Sequence, residues 1–266
     1  MKKLLIAATT ALAFSSCLQP SVLQQEERVI TFNTSSISST RATLEEVQMT
    51  DLWVFIDDQL KIHQTSSDTE FGSPTLSLSH GDHVLKFIAS RGTEPSYDNG
   101  VMTWGKVLDT FAKEMALSID DNTSATQSIR LERIVSRLQL VIKDVMPENL
   151  ASATIVMSKR SMGVSVLEMA STTSEESEQT FYCSQFAGYA NAKFTVYTIL
   201  TDDDISTDVS VILTDNDGNE LVNRTIENVP LTRNTSTILQ GYLFDADITA
   251  SIGADNVWAT DNEIDF

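Results

Sequence analysis

Residues 128–144 read SIRLERIVSRLQLVIKD, the longest regular run in the chain, and whether they form strand or helix decides the fold class. Leu138, Leu140 and Ile142 alternate with Gln139, Val141 and Lys143, the period of two expected of a half-buried strand. Arg and Leu also favour helices, so a helix is the competing reading, with Pro147 bounding its end. Downstream, residues 153–158, 194–200 and 209–214 carry the composition of strands. Asp215-Asn216-Asp217-Gly218 then links 209–214 to residues 220–226, a strong hairpin signal. Residues 235–244 and 248–252 complete the series.

Upstream the same grain continues. Residues 28–33 (RVITFN) predict a first strand, and the Ser/Thr-rich stretch 34–43 a flexible or edge segment. Residues 52–56 (LWVFI) form a short apolar run fit for a buried strand, turned by Asp57-Asp58 and returned by residues 60–63. Residues 75–79 alternate, His80-Gly81-Asp82 reads as a turn, and 84–89 (VLKFIA) as a strand. Gly92 to Gly100 is a loop rich in Gly, Pro, Ser, Asp and Asn. Val107, Leu108, Phe111 and Met115 have helical spacing, which predicts a short helix over residues 105–113, followed by a strand over 114–120. Asp120-Asp121-Asn122-Thr123-Ser124 is the best domain boundary. Short strands at this spacing point to β-sandwiches, and two of similar size account for the length.

Composition narrows the function. The 266 residues include 18 Lys plus Arg and 37 Asp plus Glu, a formal charge of −19. That acidity argues against nucleic acid and against a polybasic membrane-surface protein. Hydrophobic residues make up 41%, too many for a wholly disordered chain. Two cysteines make no disulfide scaffold.

Lys2 and Lys3 precede an apolar run from Leu4 to Phe14, then Ser15, Ser16 and Cys17. A run this short cannot span about 30 Å of hydrocarbon as a helix, but it suits the apolar region of a signal peptide. Small residues before a lone cysteine look like a bacterial lipoprotein signal, in which Cys17 is acylated and becomes the mature N-terminus. Phe14 stands where such signals usually carry Leu, and an ordinary secretory signal is the alternative. Removing residues 1–16 lowers the basic count from 18 to 16 against 37 acidic residues, a net −21. Residues 17–27 read as a tether. The chain is then expected to be anchored to a membrane and not threaded through it. Cys183, in Phe181-Tyr182-Cys183, reads as a small core residue.

Chemistry is sparse. His80-x-x-His83 could place two imidazoles near a metal, but no Cys pair accompanies them, so turn-flanking histidines are the better reading and no metal site is assigned. No nucleophile elbow and no phosphate-cradling loop occurs. Asp202-Asp203-Asp204 and Asp215-x-Asp217 offer hard oxygens for Ca²⁺ without the spacing of a helix-loop-helix site, and read as solvated turns. Trp53, Trp104 and Trp258 could stack on sugars, although aromatics in β-proteins more often serve the core. No cofactor is expected, and no enzymatic activity.

Several segments, in order, resemble the fimbrillin superfamily of Bacteroidetes, the lipoprotein pilins and their anchor subunits. Thr40-Arg41-Ala42 follows a first strand and a Ser/Thr-rich stretch, like the Thr-Arg-Ala segment of that family. Residues 52–57 (LWVFID) are similar to its Leu-x-Val-Phe-x-Phe-Asp strand, and 81–89 (GDHVLKFIA) to its Gly-x-Tyr-x-hydrophobic-x-Ala strand. Residues 131–138 (LERIVSRL) resemble Leu-x-Arg-x-x-Ala-Lys-Val, with Ser136 and Arg137 in place of Ala and Lys. Residues 229–241 (VPLTRNTSTILQG) look most like the family, matching Pro-Leu-x-Arg-Asn-x-x-Thr-x-hydrophobic-x-Gly, and Trp258 near the end also fits.

The resemblance implies an all-β chain of two transthyretin-like sandwiches in tandem, residues 28–127 and 128–266, with at most one or two short helices. It implies a structural subunit (shaft, tip or anchor) of a surface fimbria, with an adhesive role open, lipid-anchored in the outer membrane and facing the cell surface. Acidic residues usually follow the cysteine of surface-exported members. Here Leu18-Gln19-Pro20 follow, and Glu26-Glu27 come late. Polymerising members are cut by an arginine-specific protease, and Arg41 matches that position; the next subunit then donates a strand to the groove so freed. An open sheet edge has unpaired N–H and C=O groups that such a strand satisfies. Partners would be other fimbrial subunits, and host or bacterial surface ligands where the subunit adheres. The alternatives are a monomeric outer-membrane lipoprotein that binds glycan, and a lipoprotein enzyme with convergent carboxylates.

Overall fold

The computed structural model describes residues 26–37, 41–43, 48–201, 204–244, 251–253 and 260–265. In chain order its strands are β1 (Glu27–Ile37), β2 (Arg41–Thr43), β3 (Asp51–Ile56), β4 (Gln59–Thr65), β5 (Thr75–Ser79), β6 (Gly81–Ser90) and β7 (Ser96–Asp98). There follow β8 (Val101–Thr103), β9 (Thr110–Ile119), β10 (Thr126–Arg133), β11 (Val135–Ile142), β12 (Leu150–Arg160), β13 (Gly163–Ser165) and β14 (Ala170–Ser171). The rest are β15 (Glu175–Tyr182), β16 (Ala192–Ile199), β17 (Ile205–Asp215), β18 (Glu220–Leu231), β19 (Thr235–Gly241), β20 (Ser251–Gly253) and β21 (Thr260–Asp265). Among the described residues the only helical element is a 3-10 turn, Ser184–Phe186.

Residues 128–142 are strand on either side of Ile134. β10 buries Ile129 and Leu131, and β11 buries Leu138, Leu140 and Ile142, side chains two apart that share a face only at a period of two. Ile134 separates the two strands and the two halves. β10 pairs with β1 in parallel, and its last residues, Glu132 and Arg133, pair with Ala112 and Phe111 of β9. β11 lies between β16 and β19 in a different sheet. The turn at Asp120–Ser124 therefore joins two strands of the first half, and the sheets part at Ile134.

Each half is a sandwich. In the first, one leaf carries β5 and β2 on β1 and β1 on β10; the other runs β9-β6-β3-β4. Between them lie Ile30, Phe32, Leu78, Ile129 and Leu131 from one leaf, and Leu52, Val54, Leu85, Phe87 and Phe111 from the other. In the second, β16-β11-β19-β20-β21 faces β15-β12-β17-β18 over a core that includes Leu140, Ile155, Phe194, Val211 and Leu239. Asp57 and Asp58, both at positive φ (50° and 64°), make the tight turn of the β3–β4 hairpin.

A third core joins the halves. Trp53, Phe55, Ile88 and Ala112 point away from the first sandwich core and meet Val135, Val164, Val166 and Ile199. A small sheet, β14-β13-β8-β7, spans the same junction. β3 is thus covered on both faces and buried along its whole length, which is why it reads as an unbroken apolar run.

The same double covering explains the main correction. Residues 105–113 are not a helix: 105–109 are irregular chain with bends at 105, 106 and 109, and β9 begins at Thr110. Phe111 faces the first core and Ala112 the junction core, so this end of β9 carries no alternation, and its apolar residues imitate helical spacing. Two smaller differences concern β1 and β6. β1 continues through residues 34–37, with Thr34 buried. Gly81 and Asp82 belong to β6 and not to a turn. β15 (EESEQTFY) is an edge strand whose acidic, polar sequence lacks a strand composition.

Candidate strand-exchange groove

β1 occupies a slot whose walls are β5 and β10. It runs antiparallel to β5, from Glu27 opposite Ser79 to Thr31 opposite Thr75, and parallel to β10, from Thr31 opposite Thr126 to Ser36 opposite Leu131. Ile30 and Phe32 are fully buried, and the Phe32 ring lies 5.5 Å from that of Phe87. Thr34 Oγ1 donates to the carbonyl of Gly72 at 2.7 Å. Val29, on the other face, is exposed. Burying Ile30 and Phe32 is worth roughly 1.5–3 kcal/mol each. Removing β1 would open an apolar slot lined by Leu78, Phe87, Ile129 and Leu131, flanked by the unpaired backbone of two strands.

The ends of β1 hold the chemistry. At the far end, Arg41 opens β2 with its backbone opposite Ile37. At the near end, the His80 N–H donates to the Glu26 carbonyl at 3.0 Å. His80 Nδ1 lies 4.0 Å from Glu26 Oε2, and its Nε2 lies 3.7 Å from Asp121 Oδ1. One ligand atom from each of Glu26, His80 and Asp121 falls within 4.8 Å of the others, close enough to share a divalent cation. Nothing local in the sequence brings these three together, since Glu26 precedes β1 and Asp121 lies in the β9–β10 turn.

His83 serves the structure instead. Its Nδ1 is 2.8 Å from Asp57 Oδ2 and its Nε2 is 3.0 Å from the Ser79 carbonyl, so both nitrogens face acceptors. The Asp57 hydrogen bond is the main reason that its pKa lies above the ordinary imidazole value. Asp57 is held below the usual carboxylate range chiefly by the Val84 N–H.

The remaining candidates divide. Trp53 and Trp104 are buried, edge to face at 6.4 Å, so neither can stack on a sugar. Cys183 is buried, and desolvation pushes its thiol up to about 11, which keeps it protonated and inert. Asp215 accepts the backbone N–H groups of Asp217 and Asn219 at 3.0 and 2.8 Å, closing the β17–β18 hairpin. Cys17, Trp258, Asp202 and Asp203 lie outside the described residues.

Two sequence motifs meet where no local reading could place them. Arg133 clamps Asp109 with Nε and Nη2 at 2.7 and 2.9 Å, and its Nη1 donates to Asn234 Oδ1 at 3.0 Å. Next to it, Arg233 donates to Glu132 Oε2 at 2.9 Å and to the Thr201 carbonyl at 2.8 Å. Lys113, first, and Arg233 hold Glu132 below its ordinary pKa. These residues tie β10 to the loop before β19 and lock the halves together.

Residues 106–265 match the model of a family of unknown function, DUF6562. The chain belongs to that family. The DUF6562 segment runs from just before β9 to β21, so it contains the β10 wall of the slot and not β1 or β5. No curated protein matches the chain significantly. Among solved structures, a candidate polysaccharide-binding protein of Bacteroides thetaiotaomicron superposes with a TM-score of 0.57 at 11% identity, over 88% of this chain and 98% of that one. A candidate adhesin of Bacteroides ovatus gives 0.52 at 11% identity, over 74% and 76%. A second from the same species gives 0.51 at 8%, over 83% and 88%. At such identities the likeness is one of fold, and the all-β, multi-sheet architecture is shared.

Proposed function

We propose that this DUF6562 chain is a subunit of a bacterial surface fimbria, or an adhesin on the same plan, with β1 as its exchangeable strand. The observation that carries this is the seat of β1. The strand fills a two-walled slot with two fully buried side chains, and Arg41 lies just beyond its end. Cleavage after Arg41 would detach β1, and a strand from a neighbouring subunit would refill the slot. Acylation of Cys17 would hold the uncut chain at the outer membrane. The domains divide at Ile134, and the second half, rigidly joined, acts as the body of the subunit. The fold shared with candidate adhesins of Bacteroides supports a cell-surface place, and the inert Cys183 supports a structural role over a catalytic one.

Immunogold electron microscopy with antibody to residues 128–266 tests the reading. Gold along filaments is expected. Mass spectrometry of the filament protein should then find Ala42 as its N-terminus. An acylated Cys17 terminus in assembled filaments would sink processing at Arg41, and gold absent from filaments would remove the polymerising subunit.

A further inference from the structure

Among the described residues, three cations are deeply buried. Lys86 is 3% exposed and sits on Asp58 at 2.5 Å with Glu114 at 3.6 Å. Arg133 is 5% exposed and grips Asp109. Arg160, the last residue of β12, is 2% exposed and has no carboxylate within 4.0 Å among the described residues. Its Nε donates to the Tyr197 carbonyl at 2.9 Å and its Nη2 to Gln179 Oε1 at 3.1 Å, both neutral acceptors. Its Nη1 donates to no described residue, yet it is not among the sealed, unsatisfied atoms. A buried charge without a counter-charge is costly. Desolvation alone draws the pKa of this guanidinium down to about 10, and no neighbouring acid opposes it.

Arg160 opens on a cleft of about 480 Å³ where β8 meets β13 and the start of β15. Thr103, Met162, Thr172, Thr173 and Ser177 line its wall, the Thr172 hydroxyl 2.9 Å from that of Ser161, and Glu175 and Glu176 beside them are exposed. We propose that this cleft binds an acidic sugar, its carboxylate on Arg160 and its ring hydroxyls on the threonines and Ser177. A carboxylate oxygen can accept from Nη1, the one nitrogen of the Arg160 guanidinium without a described partner, and supplies the missing counter-charge. Phosphate carries nearly twice the charge past Glu175 and Glu176 and is the poorer fit. Met162 adds an apolar surface to the wall, so the cleft offers the mixture of hydroxyls and apolar contact that the two faces of a sugar ring present. The site lies apart from the β1 slot and needs neither cleavage nor assembly.

Isothermal titration of the full chain with D-galacturonate, N-acetylneuraminate, D-galactose and inorganic phosphate tests it. At least one of the two sugar acids should bind, with galactose and phosphate roughly tenfold weaker or worse. Arg160→Gln should remove that binding. The double change Glu175→Gln with Glu176→Gln should strengthen it by easing repulsion from the two carboxylates, and it keeps the test alive should Arg160→Gln fail to fold. Binding of neither acid, equal binding of galactose, tighter phosphate, or weaker acid binding in the double variant would each overturn the proposal.

Discussion

β1 and β11 hold corresponding places in the two sandwiches. Each is the first strand of its half and pairs in parallel with the last long strand of that half, β1 with β10 and β11 with β19. Each also has an antiparallel neighbour on its other side, β5 for β1 and β16 for β11. Their attachments differ. β11 is tied at both ends: it follows the Arg133 clamp, and its exit is held by Lys143 N–H to the Gly241 carbonyl at 2.7 Å. β1 has Glu26 before it, and Arg41 stands four residues beyond its last residue, Ile37. The same topological position is permanent in one half and, on the proposed reading, replaceable in the other. What separates them is covalent context and not burial, since Phe32 and Leu140 are equally inaccessible.

The largest effect should come from fixing β1 in place. Asn33 and Ser128 are opposite each other across β1 and β10. An Asn33→Cys, Ser128→Cys disulfide should leave the monomer folded and abolish filament formation, scored by electron microscopy with and without reductant. Filaments from the oxidised variant would equate β1 with β11. Next, Phe32→Ala should cost about 3–5 kcal/mol in denaturant unfolding of the intact chain, and Leu140→Ala about 2–5. After trimming at Arg41 and refilling of the slot, the first penalty should vanish and the second persist. Arg133→Ala should cost about 3 kcal/mol by leaving Asp109 without its partner, and should loosen both halves together. Separate unfolding transitions in the wild-type chain would contradict so firm a junction.

The smallest effect is that of pH, followed here through the His83–Asp57 pair of the first sandwich. The folded pKa of His83 is raised, so its contribution is complete below the unfolded value near 6.5 and is lost as pH rises through the folded value. The folded pKa of Asp57 is lowered, so its contribution is present above about 3.8 and is lost as pH falls through the folded value. The contribution of this pair to stability should therefore peak in mildly acidic solution. His83→Gln should flatten the alkaline side of that profile in thermal melts at stepped pH.

Sequence patterning reached the half-exposed strands and the tight hairpins, because alternation and turn chemistry are local. It identified β11 from Leu138, Leu140 and Ile142, and β17–β18 from the Asp215 turn. It misplaced the start of β9, where Phe111 and Ala112 feed two different cores. β15 escaped it because an edge strand needs no apolar run.

By itself, the sequence determined an all-β chain, its acidity, and the order of motifs that resemble the fimbrillin superfamily. Only the tertiary structure decided that Trp53 belongs to a junction core, that Arg133 reaches Asn234, that β1 lies between β5 and β10, and that Arg160 is buried without an acid. Each of these depends on which distant face covers a residue. That choice is made by packing between strands a hundred residues and more apart, and it leaves no trace in local periodicity.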